Sequence, residues 1–223
     1  MKITFLGDSI TQGVGASSSE NAYVNVVGKL LGCQVANLGV SGTRIARQDQ
    51  GNYLEDFNAR ALKIEQDSDF VVVFGGTNDF GHGIVPMGQE GDNSNYTFYG
   101  ALTNLIEYLL SLFDKRQIVF LLPLKRFDMN NPKPEEYSNC KGLILADYVN
   151  VMKSILTKYD ICYLDMFDGG LPMPVNGEYS TSFLDQDKPR YFTDGLHPND
   201  LGHYALALAV ASYIEGAIWH NKK

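Results

Sequence analysis

The sequence predicts an α/β protein in which helices cover both faces of a parallel sheet, a three-layer α/β/α sandwich. Short apolar runs alternate along the chain with segments of helical period, and two runs, 70–74 (FVVVF) and 118–122 (IVFLL), contain no polar residue. Uninterrupted apolar runs of this length are typical of parallel strands that are buried on both faces. The alternation of strands with helices favours right-handed crossovers between the strands.

The remaining strands are predicted at 3–6, 35–38 and 161–164. A shorter helix is indicated by Leu54, Phe57 and Ala61. Apolar residues at the spacing of one helix face predict four longer helices between and after the strands. Their core-facing side chains are expected to be Tyr23, Val26, Val27, Leu30 and Leu31; Phe98, Leu102, Leu105, Ile106, Leu109 and Phe113; Tyr148, Val149, Met152, Ile155, Leu156 and Tyr159; and Leu201, Ala205, Leu208 and Ala211.

Length and charge restrict the class of protein. A chain of 223 residues is expected to form one domain, 1–223, with a substantial core. The net charge of −8 and the lack of a basic run argue against nucleic acid or an anionic membrane as a partner. The longest apolar segment, 204–214, is shorter than the ~18 residues of a membrane span, and we find no signal peptide.

The cysteines favour a reducing compartment. Cys33, Cys140 and Cys162 are odd in number and widely spaced, so they predict neither a disulfide framework nor a CxxC site. Each is expected to be a small buried hydrophobic residue. We therefore expect a soluble cytoplasmic protein.

Three long segments interrupt the alternation of strands and helices: 81–95, 126–139 and 168–193, all rich in Gly, Pro, Asn or Asp. Each follows a predicted strand, so all three should lie over the carboxyl edge of the sheet. Ligands bind at that edge in open α/β sheets, and long loops in a compact domain are often functional. A binding site is therefore expected there.

Ser9 follows the first strand directly, in the stretch GDSIT. A hydroxyl at the carboxyl edge is accessible, and backbone N–H groups at the start of a following helix can point at an incoming oxygen. Gly-Asp-Ser is also ordinary turn material, so this signal alone leaves a nucleophile and a simple turn both open.

A serine nucleophile needs a base, and the chain has four histidines. His220 lies in a charged tail, His203 on the predicted last helix, and His82 on a loop, where packing or surface roles are expected. His197 has Asp194 three residues before it, a spacing that lets the carboxylate reach Nδ1 while Nε2 faces outward. A capped turn before the last helix would explain the same residues.

Acyl transfer also needs donors for an oxyanion, and two further turns at strand ends supply candidates. Gly42, in NLGVSG, offers a backbone N–H without a side chain, and Asn78, in GGTND, offers a side-chain amide. Turn glycines and Asn-Asp pairs are also common without function. Asp79 is expected to stabilise its loop.

Taken together, GDSIT, NLGVSG, GGTND and DGLHP resemble, in order, the four sequence blocks of the SGNH (GDSL-type) hydrolase superfamily, and they extend from residue 7 to residue 198. The resemblance implies a flavodoxin-like sheet of five parallel strands in the order 2-1-3-4-5. It implies Ser9 as nucleophile, His197 as base and Asp194 as its orienting partner. It also implies an oxyanion hole made by the backbone N–H groups of Ser9 and Gly42 and the side chain of Asn78; Gly39 is the other glycine of that block.

The expected activity is that of a cofactor-independent serine esterase, because the dinucleotide, nucleotide and metal-site patterns are absent from the sequence. The expected substrate is a short-chain or carbohydrate O-acetyl ester, since Gln89, Glu90, Asp92, Asn93 and Asn95 would give the site a polar rim. A lysophospholipid or thioester would be favoured instead if Tyr96, Phe98, Tyr99, Phe127 and Phe183 lined an apolar pocket. An acyltransferase would use the same residues, and a non-catalytic sugar- or acyl-binding module is the alternative from another class.

Overall fold

Five parallel strands form the sheet at the centre of the protein, in the order β2-β1-β3-β4-β5. The computed structural model describes residues 1–47, 55–126, 138–171 and 191–220. The strands are β1 (Lys2–Gly7), β2 (Gln34–Gly39), β3 (Phe70–Phe74), β4 (Ile118–Leu121) and β5 (Cys162–Leu164). Every residue of β3 and β4 is buried, as their uninterrupted apolar sequences predict. The predicted fold class and strand order are confirmed.

Seven α-helices lie in the described ranges: α1 (Ser9–Gln12), α2 (Tyr23–Leu31), α3 (Phe57–Ala61), α4 (Thr77–His82), α5 (Phe98–Leu112), α6 (Leu145–Lys158) and α7 (Asp200–His220). The buried side chains form two clusters, one on each face of the sheet. One contains the apolar faces of α3, α5 and α6, and the other contains those of α2 and α7. The two clusters are the interfaces of an α/β/α sandwich.

The predicted core faces are right for α5 and α6, whose apolar stripes are buried or packed against the core. The stripe predicted for α7 is right only for Ala211, which is buried, and wrong for Leu201 and Leu208, which are 44% and 42% exposed. The buried side is formed instead by His203, Leu206, Ala207, Val210 and Ile214. This helix is apolar on every side, so its sequence contains no contrast that marks one face. On α2, Leu30 is also exposed.

Helix α7 is also, within the described ranges, the one helix long and apolar enough to cross a membrane by length and composition, over Asp200–Ile218. Of that segment, 39% is buried within the protein. Core helices that cover a sheet have the same properties, and α7 packs in this way against α2.

Several other expectations need correction or lie outside the described residues. Cys140 and Cys162 are exposed rather than buried, Cys33 is partly exposed, and all three are free thiols. Phe98 lies in the core and is fully buried, so it cannot line an open pocket. Leu54, Phe127, Phe183 and most of the segments 126–139 and 168–193 are outside the described residues, as is the side chain of His220.

The strand register brings the site segments level with one another. Gly7, the last residue of β1, pairs with Gly39 of β2 on one side and with Phe74 of β3 on the other. The residues that follow these three strands therefore leave the sheet side by side. Those residues include Ser9, Gly42 and Asn78.

Candidate active site

Ser9 is the first residue of α1 and lies two residues beyond the end of β1. Asp8 caps this short helix, its carboxylate accepting a hydrogen bond from the N–H of Ile10 at 3.0 Å. Gly7 must be glycine because a Cβ there would overlap the side chain of Thr11 and approach the carbonyl oxygen of Phe74. The strand, the cap and the close approach together hold the Ser9 hydroxyl at the carboxyl edge.

His197 contacts both of its predicted partners. Its Nε2 lies 2.9 Å from Oγ of Ser9, and its Nδ1 lies 2.7 Å from Oδ2 of Asp194. An imidazole that donates Nδ1–H to the carboxylate leaves Nε2 free to accept the serine proton. The fold thus brings together the three side chains that the sequence singled out, although 188 residues separate Ser9 from His197. Their catalytic role stays a prediction.

Asp194 also shapes the turn in which it lies. Its Oδ1 accepts the backbone N–H groups of Leu196 at 3.0 Å and of His197 at 2.7 Å. Partial burial opposes ionisation, but the hydrogen bonds from the His197 ring and these two N–H groups outweigh it. They hold the pKa of the Asp194 carboxyl well below its ordinary value. Asp194 is therefore an anion at neutral pH.

The turn is anchored on both sides. Both the N–H and the hydroxyl of Thr193 donate to the carbonyl of His197, at 2.8 Å and 3.1 Å, and Phe192 forms an isolated antiparallel bridge with Pro198. Gly15 packs against it from the segment after α1. Gly15 has a φ of +95°, which favours glycine. There is also no space for a Cβ, because it would overlap the carbonyl oxygen of Pro198 and lie 3.2 Å from Cβ of His197.

The start of α7 is tied to the same segment. The carboxylate of Asp200 accepts the N–H of Ser17 at 2.7 Å, the Ser17 hydroxyl at 2.6 Å and the side-chain amide of Asn21 at 3.0 Å. The buried ring of His203 accepts the N–H of Tyr23 at Nδ1, and its Nε2 lies 3.2 Å from the carbonyl of Val14. His203 thus has the packing role expected of it, and it also links the chain after Ser9 to the chain after His197.

The predicted oxyanion donors lie on neighbouring loops. The side-chain amide of Asn78, in the first turn of α4, donates to the carbonyl of Thr43 at 3.0 Å, and Thr43 follows Gly42 directly. Within the described residues, the N–H groups of Ser9 and Gly42 donate no hydrogen bond. The N–H of Gly39, in contrast, is bonded to the side chain of Asn37 at 2.8 Å, which favours Gly42 over Gly39 as a donor.

Asp79 fixes the loop that carries Gly42. Its two carboxylate oxygens accept the N–H groups of Ile45 at 3.0 Å and of Ala46 at 2.9 Å. Burial disfavours the charged form and raises the pKa of Asp79 to about 6. The loop-stabilising role expected of Asp79 agrees with these contacts.

His82 ends α4 at the surface, and its pKa is lowered chiefly by desolvation of its ring and also by the charges of Arg44 and Arg126. Glu90, expected on the rim, forms an ion pair with Lys158 at 3.0 Å. Lys158 lies in the last turn of α6, the end that leads into β5 and away from the carboxyl edge. Glu90 therefore lies away from the rim position that its sequence predicts.

Sequence reasoning missed Gly15, Thr43 and Arg60, which contact the site residues or the strand ends that carry them. None of them has a sequence signal of its own, because a glycine, a threonine and a helical arginine are common in any chain. No group of three or more His, Cys, Asp or Glu residues within the described ranges could hold a metal ion.

Comparison with known proteins gives the same fold. A protein of Lactobacillus plantarum has 27% sequence identity and a TM-score of 0.78, with 96% of each chain covered. An acetyl xylan esterase has 21% identity and a TM-score of 0.61 over 98% of this chain and all of the other. The carbohydrate acetylesterase Est24 of Sinorhizobium meliloti has 14% identity and a TM-score of 0.66, covering 96% of this chain and 98% of the other. The last two likenesses, at low identity, are likenesses of fold.

A search among curated protein sequences found no match. The family comparison is decisive, because the sequence profile of one family matches residues 5–205, from the middle of β1 to the first turns of α7. With the four motifs in order and the sheet in the order 2-1-3-4-5, this chain belongs to the GDSL-like lipase/acylhydrolase family of hydrolases.

Proposed function

We propose that this protein is a serine esterase that hydrolyses a carboxylic ester through an acyl-enzyme, with Ser9, His197 and Asp194 as its catalytic triad. The observation that carries the proposal is the continuous hydrogen-bonded path from Oγ of Ser9 through the imidazole of His197 to the carboxylate of Asp194. A serine hydroxyl is unreactive at neutral pH unless a base of this kind removes its proton.

In the first half of the reaction, Nε2 of His197 takes the hydroxyl proton while Oγ of Ser9 bonds to the ester carbonyl carbon. The negative charge moves to the carbonyl oxygen, where the N–H groups of Ser9 and Gly42 and the amide of Asn78 stabilise it. The C–O bond to the alcohol then breaks, and His197 gives its proton to the leaving oxygen.

In the second half, water replaces the alcohol. His197 takes a proton from the water as its oxygen attacks the acyl carbon, and the proton passes to Oγ when the bond to Ser9 breaks. A carboxylic acid leaves and the free hydroxyl is restored. Asp194 keeps the imidazole in one tautomer and stabilises its protonated form in both halves.

The proposed substrate is a short-chain or carbohydrate O-acetyl ester. Three of the contacts of His197 are small or polar, namely Gly15, Thr193 and the Ser9 hydroxyl. Asp194 is 51% exposed, so this side of the site opens to solvent. A long acyl chain needs an extended apolar surface, whereas an acetyl group does not.

The central test compares wild type with Ser9→Ala on nitrophenyl esters of increasing chain length and on an acetylated sugar. We expect the substitution to lower kcat by about 10⁴-fold or more and to abolish labelling by a fluorophosphonate. Ser68→Ala is the matched control, because Ser68 is a buried serine before β3, at the opposite edge of the sheet.

The outcomes separate the alternatives. Esterase activity retained in Ser9→Ala contradicts the proposed nucleophile. Wild-type protein that neither hydrolyses the esters nor reacts with the fluorophosphonate indicates a binding module. A rate that rises with chain length or is faster on thioesters indicates a lysophospholipase or thioesterase, and ester products formed with an added alcohol indicate an acyltransferase.

A further inference from the structure

Arg60, in the last turn of α3, is among the largest fully buried side chains of the protein and is 1% exposed. Its donors reach four acceptors. Nε donates to the carbonyl of Glu55 at 2.9 Å, Nη1 to the carbonyls of Gly7 (2.8 Å) and Leu38, and Nη2 to the hydroxyl of Thr43 at 2.6 Å. A guanidinium so fully bonded is held in one orientation.

Three of these acceptors lie next to the segments that carry the proposed oxyanion donors. Gly7 ends β1, two residues before Ser9, and Leu38 lies in β2 beside its last residue. Thr43 directly follows Gly42. One side chain therefore joins the ends of two adjacent strands to the loop that carries Gly42.

Thr43 extends this connection to the third donor. Its hydroxyl accepts from Arg60 and donates to the carbonyl of Val40 at 2.6 Å, which closes the turn around Gly42. Its backbone carbonyl accepts the side-chain amide of Asn78 at 3.0 Å. The direction of the remaining Asn78 N–H and the position of the Gly42 N–H thus both depend on where Thr43 lies.

The surroundings of Arg60 keep it charged and in place. Burial lowers its pKa to about 10, and the nearby carboxylates of Asp8, Glu55 and Asp56 oppose that effect, so it remains protonated at neutral pH. Its guanidinium carbon lies 4.8 Å from the centre of the Phe57 ring. A lysine could not replace it, because one ammonium cannot bond acceptors that lie in several directions.

We propose that Arg60, acting through Thr43, is the positioning residue of the oxyanion hole: it sets the Gly42 N–H and the Asn78 amide relative to Ser9. This inference rests on the proposed esterase function. Donors that stabilise an oxyanion must be in place before the reaction, and a displacement of about 1 Å can cost on the order of a hundredfold in rate.

Thr43→Val tests the proposal, since valine keeps the shape of the side chain and removes only the hydroxyl. We expect kcat to fall about tenfold to a hundredfold while KM changes by less than about threefold, because the loss affects the transition state rather than substrate binding. Thr43→Ser, which keeps the hydroxyl, should restore most of the activity. Arg60→Lys should resemble Thr43→Val.

Two comparisons distinguish positioning from a general loss of stability. Thr4→Val is the matched control, because Thr4 is a fully buried threonine of β1 whose hydroxyl lies 2.8 Å from that of Ser68, near the opposite edge of the sheet. It should lower Tm and leave kcat unchanged. In an Asn78→Ala background, Thr43→Val should cost much less than in wild type, since one of the donors that it positions is already absent.

The assays are run well below the Tm of each variant, so that folded protein is compared throughout, and Thr43→Ala replaces the valine variant if the latter does not fold. The proposal is overturned if kcat stays within twofold of wild type, if only KM changes, or if the effects of Thr43→Val and Asn78→Ala on kcat multiply independently. A wild-type protein without esterase activity or fluorophosphonate labelling refutes the proposed function itself, and that result is read from wild type alone.

Discussion

Around Ser9 the charged and polar side chains are buried, whereas the turn that carries Asp194 and His197 is open to solvent. Asp8 and Asp79 are each 1% exposed and Asn78 is 7% exposed, but the side chains of Asp194 and His197 are 51% and 17% exposed. Asp8, Asn78 and Asp79 follow the ends of the central strands β1 and β3. Asp194 and His197 lie on the turn before α7. The proposed oxyanion donors therefore lie on segments that follow the sheet strands directly, and the proposed base and its acid lie on a turn at the surface.

The carboxyl groups of these two regions respond oppositely to their surroundings. Burial raises the pKa values of Asp8 and Asp79 to about 6, because their backbone hydrogen bonds stabilise the charged carboxylates less than the lost hydration did. The pKa of Asp194 is lowered, because partial burial is outweighed by hydrogen bonds from the His197 ring and two backbone N–H groups. Hydrogen bonds therefore keep Asp194 charged to low pH, whereas Asp8 and Asp79 hold backbone N–H groups in place and lose their charge as the pH falls through about 6.

Among the variants that compare the two regions, the largest effect is expected for Asp194→Asn, which tests the exposed region. An amide presents an N–H to Nδ1 of His197, so the imidazole takes the tautomer with Nε2–H and cannot accept the Ser9 proton. We expect kcat for ester hydrolysis at neutral pH to fall by about 10³- to 10⁴-fold. Because the side chain is half-exposed, circular dichroism should show an unchanged fold.

Asp67→Asn is its control, since Asp67 is 71% exposed and pairs with Lys2 at the amino end of β1. This variant should keep the wild-type kcat. A kcat for Asp194→Asn within tenfold of wild type would remove Asp194 from the proposed mechanism.

A smaller effect, on stability, is expected for Asp8→Asn in the buried region. Asparagine can still cap α1 by accepting the Ile10 N–H, but it does not titrate. In wild type, the folded-state pKa of about 6 lies above the ordinary value of 3.8, so folded protein binds the proton more tightly than unfolded protein. The contribution of Asp8 is thus greatest below about pH 4 and is lost as the pH rises through about 6.

Urea denaturation of both proteins between pH 4 and pH 7 measures this difference. Relative to Asp8→Asn, wild type should lose up to about 3 kcal/mol of unfolding free energy over that range, at about 1.4 kcal/mol for each unit of pKa shift. Groups distant from residue 8 titrate equally in both proteins and cancel, whereas Asp79 and His197, whose charges interact with Asp8, add a smaller difference. If the unfolding free energies of the two proteins changed in parallel with pH, the pKa of Asp8 would not be raised in the folded state.

The smallest of these effects is expected for Gly15→Ala, which disturbs the contact between the two regions. A Cβ at Gly15 would displace the His197–Pro198 segment, and we expect kcat to fall roughly tenfold. Gly91→Ala is matched in backbone, with a φ of +90° against +95°, but its Cβ would meet nothing within 4 Å. Both variants should lose about 1 kcal/mol of stability to backbone strain, and Gly15→Ala should lose more, because its Cβ must also displace the Pro198 carbonyl. Only Gly15→Ala should lose activity. Equal activities would mean that Gly15 does not position His197.

Local sequence patterns were enough to predict the fold and the polar residues at the carboxyl edge of the sheet. The apolar runs of β3 and β4 and the motif residues Ser9, Asn78 and His197 each stand out within a few neighbouring positions of the chain. The buried face of α7 could not be predicted, because Leu201 and Leu208 are as apolar as Leu206 and Val210 and only packing distinguishes them. Arg60 could not be predicted for a related reason: three of its four acceptors are backbone carbonyls, which every residue possesses.

Glu90 shows the limit of interpreting a loop by composition. Its charge favoured a rim position, but its ion pair with Lys158 depends on how the loop 81–95 runs past α6. The burial expected for Cys140 and Cys162 was wrong for a similar reason. Cysteine is buried in most proteins, but the burial of one particular cysteine depends on the packing around it and not on its neighbours in the sequence.

The separation of 188 residues between Ser9 and His197 also has a consequence for biosynthesis. A ribosome makes Ser9 long before His197, and α7, which follows His197 in the chain, must then pack beside α2 before the imidazole can reach the serine. A nascent chain therefore carries Ser9 without its proposed base until the segment around His197 has been made and has packed, so the proposed activity can arise only after that late folding step.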